Sequence, residues 1–453
     1  MNNAVIILLT MTILQEALAQ RLTEALAAPL PSLTRRDARL PAIPGKAFAV
    51  IGVRRAGKTS YLWQCLHDRL AAGRPRESLV LLGLEDDRLA GLTTADLDWL
   101  LEEYFRRYPA FRGTMNVTLC LDEIQNVTGW ERFARRVMDT EKVTLVLSGS
   151  SARLLSREVA TSLRGRGLEV LLHPFSFREA LRHADAEPER AWSRLGSAGR
   201  SLLDHRLRQY LAAGGFPEAQ GLDTADRATL LRGYVDVAVL RDVIERHGVS
   251  NPHALRWLQR QLLANPGGSF SVQRFYLDLR SQGLPVAKDT LHDYLAFLED
   301  SFLVRTVSLH TRSERRRMVN PRKAYPVDPA LTALYSRTGE PEVGHALETA
   351  VQLELERRGY ETSYVRTREG WEVDFLATAP GRKALLVQVC ATLGTDETML
   401  REMRALQAAR SQHRNAVAML VTLDAVPPRI ELPAGVSWWP ATRWLLESPD
   451  ESE

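Results

Sequence analysis

Cysteine is scarce in this sequence, and its placement excludes whole classes of fold. The 453 residues contain only Cys65, Cys120 and Cys390, which lie far apart and form no C-x-x-C pair. A disulfide-stapled scaffold and a structural zinc site are therefore disfavoured. The ten histidines lack the spacing of metal ligands, and no Ser-His-Asp arrangement stands out. Unpaired thiols suit a reducing compartment, so we expect a cytoplasmic protein.

Long hydrophobic runs are also missing. The longest apolar stretch covers residues 4–14, and its eleven residues are too few to span a bilayer. Because no Lys or Arg precedes this stretch, a secretory signal is disfavoured. Whether residues 1–20 are translated or cleaved stays open. We expect an ordinary strand or helix in an N-terminal extension of residues 1–43, and no membrane partner.

The overall composition is that of a multidomain globular protein. Hydrophobic residues make up 45% and charged residues 25% of the chain, and this length allows about three domains of roughly 150 residues. The formal charge is +4 and the isoelectric point is near 9.0, a mild excess that matters only where basic residues cluster.

Short apolar runs alternate with helical patterns through the first half of the chain. The runs occupy residues 47–53, 78–84, 116–123, 143–151 and 168–174, and helical spacing follows at 59–73, 95–109 and 130–141. Such alternation predicts parallel βαβ units, and hence an α/β domain with a doubly wound parallel sheet.

The stretch "GVRRAGKT", from Gly52 to Thr59, matches the phosphate-binding pattern G-x-x-x-x-G-K-[ST] between a predicted strand and a predicted helix. Backbone N–H groups and the helix N-terminus in such a loop cradle phosphates. Lys58 is expected to reach the β- and γ-phosphates of ATP, and Thr59 to hold Mg²⁺. The predicted nucleotide contacts are Gly52, Arg55, Ala56, Gly57, Lys58, Thr59 and Ser60.

Two acids end the predicted strand "VTLCLDE". Asp122 is expected on or near Mg²⁺, and Glu123 is placed to activate the attacking water. The next strand ends in "LSGSS", where Ser148, Ser150 or Ser151 is expected to contact the γ-phosphate or the water. The segment "TSLRGRG" contains Arg164 and Arg166. We expect Arg166 to neutralise charge in the transition state, either in its own subunit or in a neighbouring one.

The order helix, turn, helix and basic hairpin over residues 270–328 is that of a winged helix. Lys288 opens the second of these helices. Basic residues cluster in the hairpin, where they are expected to neutralise DNA phosphates, although a solvated loop or a protein contact is the alternative. The predicted DNA contacts are Lys288, Arg315, Arg316 and Arg317, with Arg312, Arg322 and Lys323 in the same hairpin.

Several of these segments together resemble one prokaryotic family of AAA-type P-loop ATPases. The resemblance rests on "GVRRAGKTS", "LDEIQNVTGWERFARRVMD", "LSGSSARLLSREVATSLRGR", "HPFSFREAL" and "YLAAGGFPEA". It implies an ATPase domain over residues 44–180, a helical lid over 181–250, a winged-helix-like domain over 251–335, a restriction-endonuclease-like α/β domain over 336–445 and an acidic tail over 446–453. It also marks Glu85–Leu89 and Gly214–Glu218 as signature segments.

The C-terminal domain resembles the PD-(D/E)xK nuclease fold, whose chemistry needs carboxylates for Mg²⁺ and a lysine. Glu348 and Asp374 match that pattern. Gln388 and Cys390 replace the expected acid and lysine, and neither residue supplies the same chemistry. Nuclease activity is therefore not expected unless Lys383, Arg401 or Glu402 stands in, and the two acids otherwise only maintain the fold.

These observations predict an ATP-hydrolysing protein that uses Mg²⁺ and whose nucleotide state drives a DNA-contacting C-terminal half. Two alternatives stay open: a nucleotide-dependent switch that binds a protein partner or a second copy without DNA, and an ATP-licensed Mg²⁺ nuclease. A small-molecule kinase is disfavoured, because the additional domains are large and Glu123 suits water as the nucleophile.

Overall fold

The computed structural model describes residues 3–149, 163, 165–336, 342–394, 396–429 and 431–447. The chain forms two compact units, of which the first ends at Leu172 and the second begins at His173. The first unit thus ends a few residues before the predicted boundary of the ATPase domain at 180. In the described part of the chain, no helix is both long and apolar enough to cross a membrane.

The first unit is built on a five-stranded, fully parallel sheet with the strand order β2-β3-β4-β1-β5. Its strands are almost continuous apolar runs, as expected for strands covered on both faces. This confirms the predicted α/β class. The strands are β1 (Ala47–Ile51), β2 (Leu79–Gly83), β3 (Val117–Asp122), β4 (Val143–Gly149) and β5 (Gly167–Leu171). The helices are α1 (Asn3–Ala27), α2 (Lys58–Ala71), α3 (Thr94–Arg107) and α4 (Trp130–Thr140).

The second unit contains a mixed eight-stranded sheet with the order β13-β12-β11-β10-β9-β7-β8-β6. Its strands are β6 (Ser269–Phe270), β7 (Val304–Leu309), β8 (Arg322–Pro326), β9 (Glu361–Arg366), β10 (Glu372–Thr378), β11 (Leu385–Cys390), β12 (Val417–Thr422) and β13 (Val436–Pro440). The helices are α5 (Phe177–His183), α6 (Ser197–Ala213), α7 (Thr224–Val237), α8 (Pro252–Ala264), α9 (Val272–Ser281), α10 (Lys288–Asp300), α11 (Glu314–Val319), α12 (Ala330–Tyr335), α13 (Val343–Arg357), α14 (Asp396–Gln412) and α15 (Ala441–Leu446).

The predicted basic hairpin and the predicted C-terminal domain share this one sheet. Strand β7 pairs with β8 in the hairpin and, on its other side, runs parallel to β9, with Ser308 opposite Ser363. The expected division near residue 335 therefore does not separate two sheets. As a result, β8 lies within reach of the strands that carry the acidic residues of the C-terminal half.

The signature segment that begins at Gly214 has a structural explanation. Gly214 ends α6 with φ of 74°, and a Cβ there would lie 1.8 Å from Oδ1 of Asp328. The next N–H, of Gly215, donates to Oδ2 of the same carboxylate at 2.7 Å. Burial raises the pKa of Asp328 to about 6, against the backbone N–H bonds that favour its ionised form. This segment therefore packs α6 against the chain just before α12.

Candidate nucleotide site

The predicted phosphate-binding loop lies between the end of β1 and the start of α2. Gly52, the first residue after β1, packs so closely on the residue that follows β5 that a Cβ would lie 2.1 Å from the carbonyl oxygen of Leu172. Helix α2 begins at Lys58, directly after Gly57. The N–H groups of its first turn have no partners within the helix and point towards the loop. The sequence pattern and its predicted strand-loop-helix context therefore agree with the structure.

Lys58 is the buried cation of this loop. Only 6% of the residue is exposed, and its Nζ donates to the carbonyl oxygens of Gly52 and Val53 at 3.1 Å each. These bonds fold the side chain back over the loop. An ammonium held in this way places positive charge inside the turn whose N–H groups are suited to phosphate oxygens.

Helix α2 and strands β3 and β4 bring a hydroxyl, a carboxylate and a second hydroxyl together at the carboxyl edge of the sheet. Thr59 Oγ1 donates to Asp122 Oδ2 at 2.6 Å, and Ser148 Oγ donates to the other oxygen, Oδ1, of the same carboxylate. Asp122 is the last residue of β3, and Ser148 is the last but one of β4. Strand β4 lies between β3 and β1 in the sheet. Hydroxyl and carboxylate oxygens are the ligands that Mg²⁺ prefers. Asp122 thus joins Thr59 to Ser148; the contacts predicted for them with Mg²⁺ and the γ-phosphate stay predictions, and Ser150 and Ser151 lie outside the described residues.

Glu123 is held at both its backbone and its carboxylate. It adopts the left-handed conformation, with φ of 55°, which is uncommon for a residue with a side chain. Its N–H donates to Ser148 Oγ at 3.2 Å, and its Oε2 accepts from Nε2 of Gln125. Sequence reasoning missed Gln125, although it stands in the quoted "LDEIQ" segment. Its amide fixes the orientation of the carboxylate predicted to act as the base.

Arg36 is a second residue that sequence reasoning missed. It is 5% exposed, and its Nη1 donates to the carbonyl oxygen of Ala56 in the phosphate-binding loop at 2.8 Å. Its backbone is fixed to α2, because Gln64 accepts from the Arg36 N–H at 2.7 Å and donates to its carbonyl oxygen at 3.0 Å. Hydrogen bonds to charged groups contribute about 1.5–3 kcal/mol. The segment before β1 therefore braces the loop.

Comparison with known proteins agrees with this geometry. Residues 44–181 match the model of an AAA domain, and residues 204–342 match a domain of unknown function (DUF8612). An uncharacterized protein of Methanocaldococcus jannaschii, MJ1544, is 30% identical over 378 residues, which cover 83% of this chain and 81% of that protein. The chain belongs to the same family as MJ1544. It carries the P-loop ATPase domain that the motifs predicted.

Two further similarities accompany this assignment. An uncharacterized protein of Haemophilus influenzae is 30% identical over 344 residues, 75% of this chain and 81% of that protein. Among solved structures, the Walker-type ATPase PABY2304 of Pyrococcus abyssi is 18% identical and covers 71% of this chain and 95% of that chain, with a TM-score of 0.37.

The predicted arginine of this AAA domain lies at the wrong edge of the sheet for its own site. Arg166 directly precedes β5, and its carbonyl oxygen accepts from the N–H of Ala47, the first residue of β1. The phosphate-binding loop follows the other end of β1, five residues and about 17 Å away. Arg166 pairs with Asp139. Of the two alternatives, this distance disfavours action within its own subunit, and action on a neighbouring subunit stays a prediction; Arg164 lies outside the described residues.

The remaining loop residues surround these groups. Ala56 is buried and accepts the Arg36 bond, whereas Arg55 is exposed with φ of 64°. Ser60 is exposed on the first turn of α2, next to Thr59. Their contacts to a nucleotide stay predictions.

In the C-terminal half, two of the four predicted nuclease-like residues, Glu348 and Asp374, contact a lysine that was not predicted there. Lys323 Nζ lies 2.8 Å from Asp374 Oδ1 and 3.5 Å from Glu348 Oε1. Gln388 accepts from the Asp374 N–H at 3.3 Å, and the Cys390 thiol donates to the Thr392 carbonyl oxygen at 3.0 Å. Lys383, Arg401 and Glu402 are the candidate replacements for the missing acid and lysine. Glu402 is buried and bonds to Gln388 and to Arg401. Lys383 is exposed in the turn before β11.

The basic residues of the hairpin separate into two groups. Lys323 is only 4% exposed, so its expected contact with DNA phosphates is wrong. Arg315, Arg316 and Arg317 are exposed on α11, and Arg312 is exposed just before it. Lys288 is exposed at the start of α10. We call Arg312 and Arg315–Arg317 the basic tip.

Proposed function

We propose that this protein hydrolyses ATP at the carboxyl edge of its first sheet. The observation that carries the proposal is the joining of Thr59, Asp122 and Ser148 beside a loop that encloses the Lys58 ammonium. Lys58 and the loop N–H groups would hold the β- and γ-phosphates. The Glu123 carboxylate would take a proton from a water molecule as the water oxygen bonds to the γ-phosphorus. The bond between the γ-phosphorus and the ADP oxygen breaks in the same step.

The donor set at this edge fits Mg²⁺. Thr59 Oγ1 and Asp122 Oδ2 lie 2.6 Å apart and are both hard oxygen ligands. When bound, Mg²⁺ supplies charge neutralisation to the phosphates. Ser148 would keep Asp122 in place from the opposite side, since its hydroxyl donates to the other carboxylate oxygen.

The experiment that tests the proposal is ATP hydrolysis by the purified full-length chain, measured with and without duplex DNA. We expect Mg²⁺-dependent phosphate release that DNA changes at least several-fold. Turnover that is absent under all conditions would contradict the hydrolysis. Slow turnover that DNA leaves unchanged would favour a switch that binds a protein partner.

For the C-terminal half, we propose a winged-helix-like region that contacts DNA and a restriction-endonuclease-like region that includes β9–β13. The order of α9, α10 and the β7–β8 hairpin, together with the short β6 paired to β8, supports the first of these. The exposed guanidinium groups of the basic tip are suited to phosphate contacts. Met318 and Val319 are 74% and 72% exposed beside them, and this favours a protein partner as the second candidate.

Removing three of the four arginines of the basic tip is expected to weaken the salt dependence of DNA binding. Each arginine that meets a phosphate contributes about one unit to the slope of log affinity against log salt, so the Arg315→Ala, Arg316→Ala, Arg317→Ala triple variant should lose about three. The measurement is fluorescence anisotropy with a labelled duplex across a salt series. The matched control replaces the exposed Arg404, Arg414 and Arg429 by Ala and should keep the slope. An equal slope in both variants would rule the basic tip out as a DNA contact.

A further inference from the structure

A buried lysine stands at the centre of the acidic cluster in the second unit. Lys323 Nζ lies 2.8 Å from Asp374 Oδ1, 3.1 Å from Glu372 Oε1 and 3.5 Å from Glu348 Oε1. It comes from β8, whereas the acids come from α13 and β10. The carboxylates of three residues thus converge on one ammonium group, as they would on a metal ion.

Glu348 and Asp374 are mostly buried, and each also accepts a hydrogen bond from a second donor. Tyr325 donates its hydroxyl to Glu348 Oε1 at 2.7 Å, and the N–H of Val389 donates to Asp374 Oδ2 at 3.0 Å. The backbone of Gly267 also packs against Glu348: a Cβ at Gly267 would lie 2.7–2.9 Å from atoms of the Glu348 carboxylate. Little room is therefore left beside that carboxylate on this side.

The residues present do not fit the Mg²⁺ that a nuclease-like site implies. Mg²⁺ needs near-octahedral oxygen ligands at about 2.0–2.1 Å, including one or two carboxylates that are free to face it. Here the oxygens face a fixed positive charge, and the Gln388 amide oxygen accepts from the Asp374 N–H instead of pointing free. Among the described residues, no group of three or more His, Cys, Asp or Glu is arranged to hold a metal ion.

We propose that Lys323 is the permanent counter-ion of this cluster and that its ammonium excludes a divalent cation from it. The C-terminal sheet then carries a metal-free charge centre that ties β8 to α13 and β10, and it has no Mg²⁺-dependent nuclease chemistry. The proposal stands independently of ATP hydrolysis in the first unit.

The charges within the cluster agree with this assignment. Burial alone would lower the pKa of Lys323, but the three carboxylates outweigh it and raise that pKa, so the lysine stays charged. Burial, and then Asp374, raise the pKa of Glu348 to about 7, so a proton on Glu348 lowers the excess negative charge near neutral pH. The Lys323 ammonium and the proton on Glu348 together offset the carboxylate charge that a divalent ion would otherwise offset.

The proposal is tested by titrating the nucleotide-free full-length chain with Mn²⁺ alone, followed by electron paramagnetic resonance. We expect wild type and Asp374→Asn to give the same weak binding, because this carboxylate is not a ligand. Lys323→Met, which removes the charge and keeps an apolar chain of similar length, should gain one site that binds at least about 100-fold more tightly. Asp374→Asn added to it should remove that site.

Two results would overturn the proposal. One is Mn²⁺ binding by wild type that Asp374→Asn abolishes, a comparison that does not depend on the folding of the Lys323→Met chain. The other is a folded Lys323→Met chain with no gained site. As a further check, Mg²⁺-dependent cutting of supercoiled DNA that is lost in Asp374→Asn but kept in Lys58→Ala would also contradict it.

Discussion

Replacing Lys58 by alanine is expected to lower ATP hydrolysis by at least about 10²–10³-fold, the usual loss when a pre-organised charge or donor is removed from a transition state. The reason is local. Lys58 is 6% exposed, and two backbone carbonyl oxygens hold its ammonium over the loop, so alanine leaves the loop without this buried positive charge. The measurement is steady-state phosphate release with saturating ATP and Mg²⁺.

A matched lysine tests whether this loss is specific. Lys46 lies just before β1, at the opposite edge of the same sheet, and its Nζ donates to the Gly165 carbonyl oxygen at 2.8 Å. Lys46→Ala should keep hydrolysis within about two-fold of wild type, because it lies about one strand length from the loop. Equal activity in wild type and Lys58→Ala would remove the loop from the mechanism.

Glu123→Gln is expected to separate binding from hydrolysis. Glutamine keeps the shape of the side chain but cannot take a proton from water, and general bases of this kind contribute about 10²–10⁴-fold. ATP affinity, measured with a fluorescent ATP analogue, should change less than about three-fold, whereas single-turnover hydrolysis should fall by at least about 10²-fold. The rate falls and the affinity does not because the carboxylate contacts the attacking water and does not hold the phosphates.

The control for this variant is Glu77→Gln. Glu77 is exposed just before β2, at the edge of the sheet opposite Glu123, and should tolerate the same change in charge. A Glu123→Gln protein that turns over like wild type would mean that another group accepts the proton. A loss of ATP affinity equal to the loss of rate would instead assign Glu123 to binding.

Much of the first unit could be predicted from sequence because its signals are local. Buried parallel strands appear as short apolar runs, and the loop motif stands between one such run and a helix, so β1–β5 and the positions of Lys58, Thr59 and Asp122 were all within reach. The carboxyl ends of parallel strands meet at one edge, which places Ser148 beside Asp122, a contact that the sequence analysis did not name.

Other features depend on pairings between distant segments, and the local pattern carries no signal for them. Arg36 contacts a loop carbonyl twenty residues later, and Lys323 contacts an acid fifty-one residues later. In sequence, Lys323 is one basic residue in a basic hairpin; only the pairing of β7 with β9 reveals that it faces acids instead of solvent. Arg166 is a different case: it directly precedes β5, and in a parallel sheet that position lies at the edge opposite the phosphate-binding loop, so the sequence pattern already carried this signal.

The central claim is that ATP and Mg²⁺ bind together between the 52–59 loop and Asp122. Its most direct test is calorimetric titration of the full-length chain with a non-hydrolysable ATP analogue, with Mg²⁺ and then with EDTA. We predict one site per chain that weakens at least about ten-fold without Mg²⁺ and disappears in Lys58→Ala. An absence of binding heat from wild type with Mg²⁺, or identical titrations of wild type and Lys58→Ala, would contradict it.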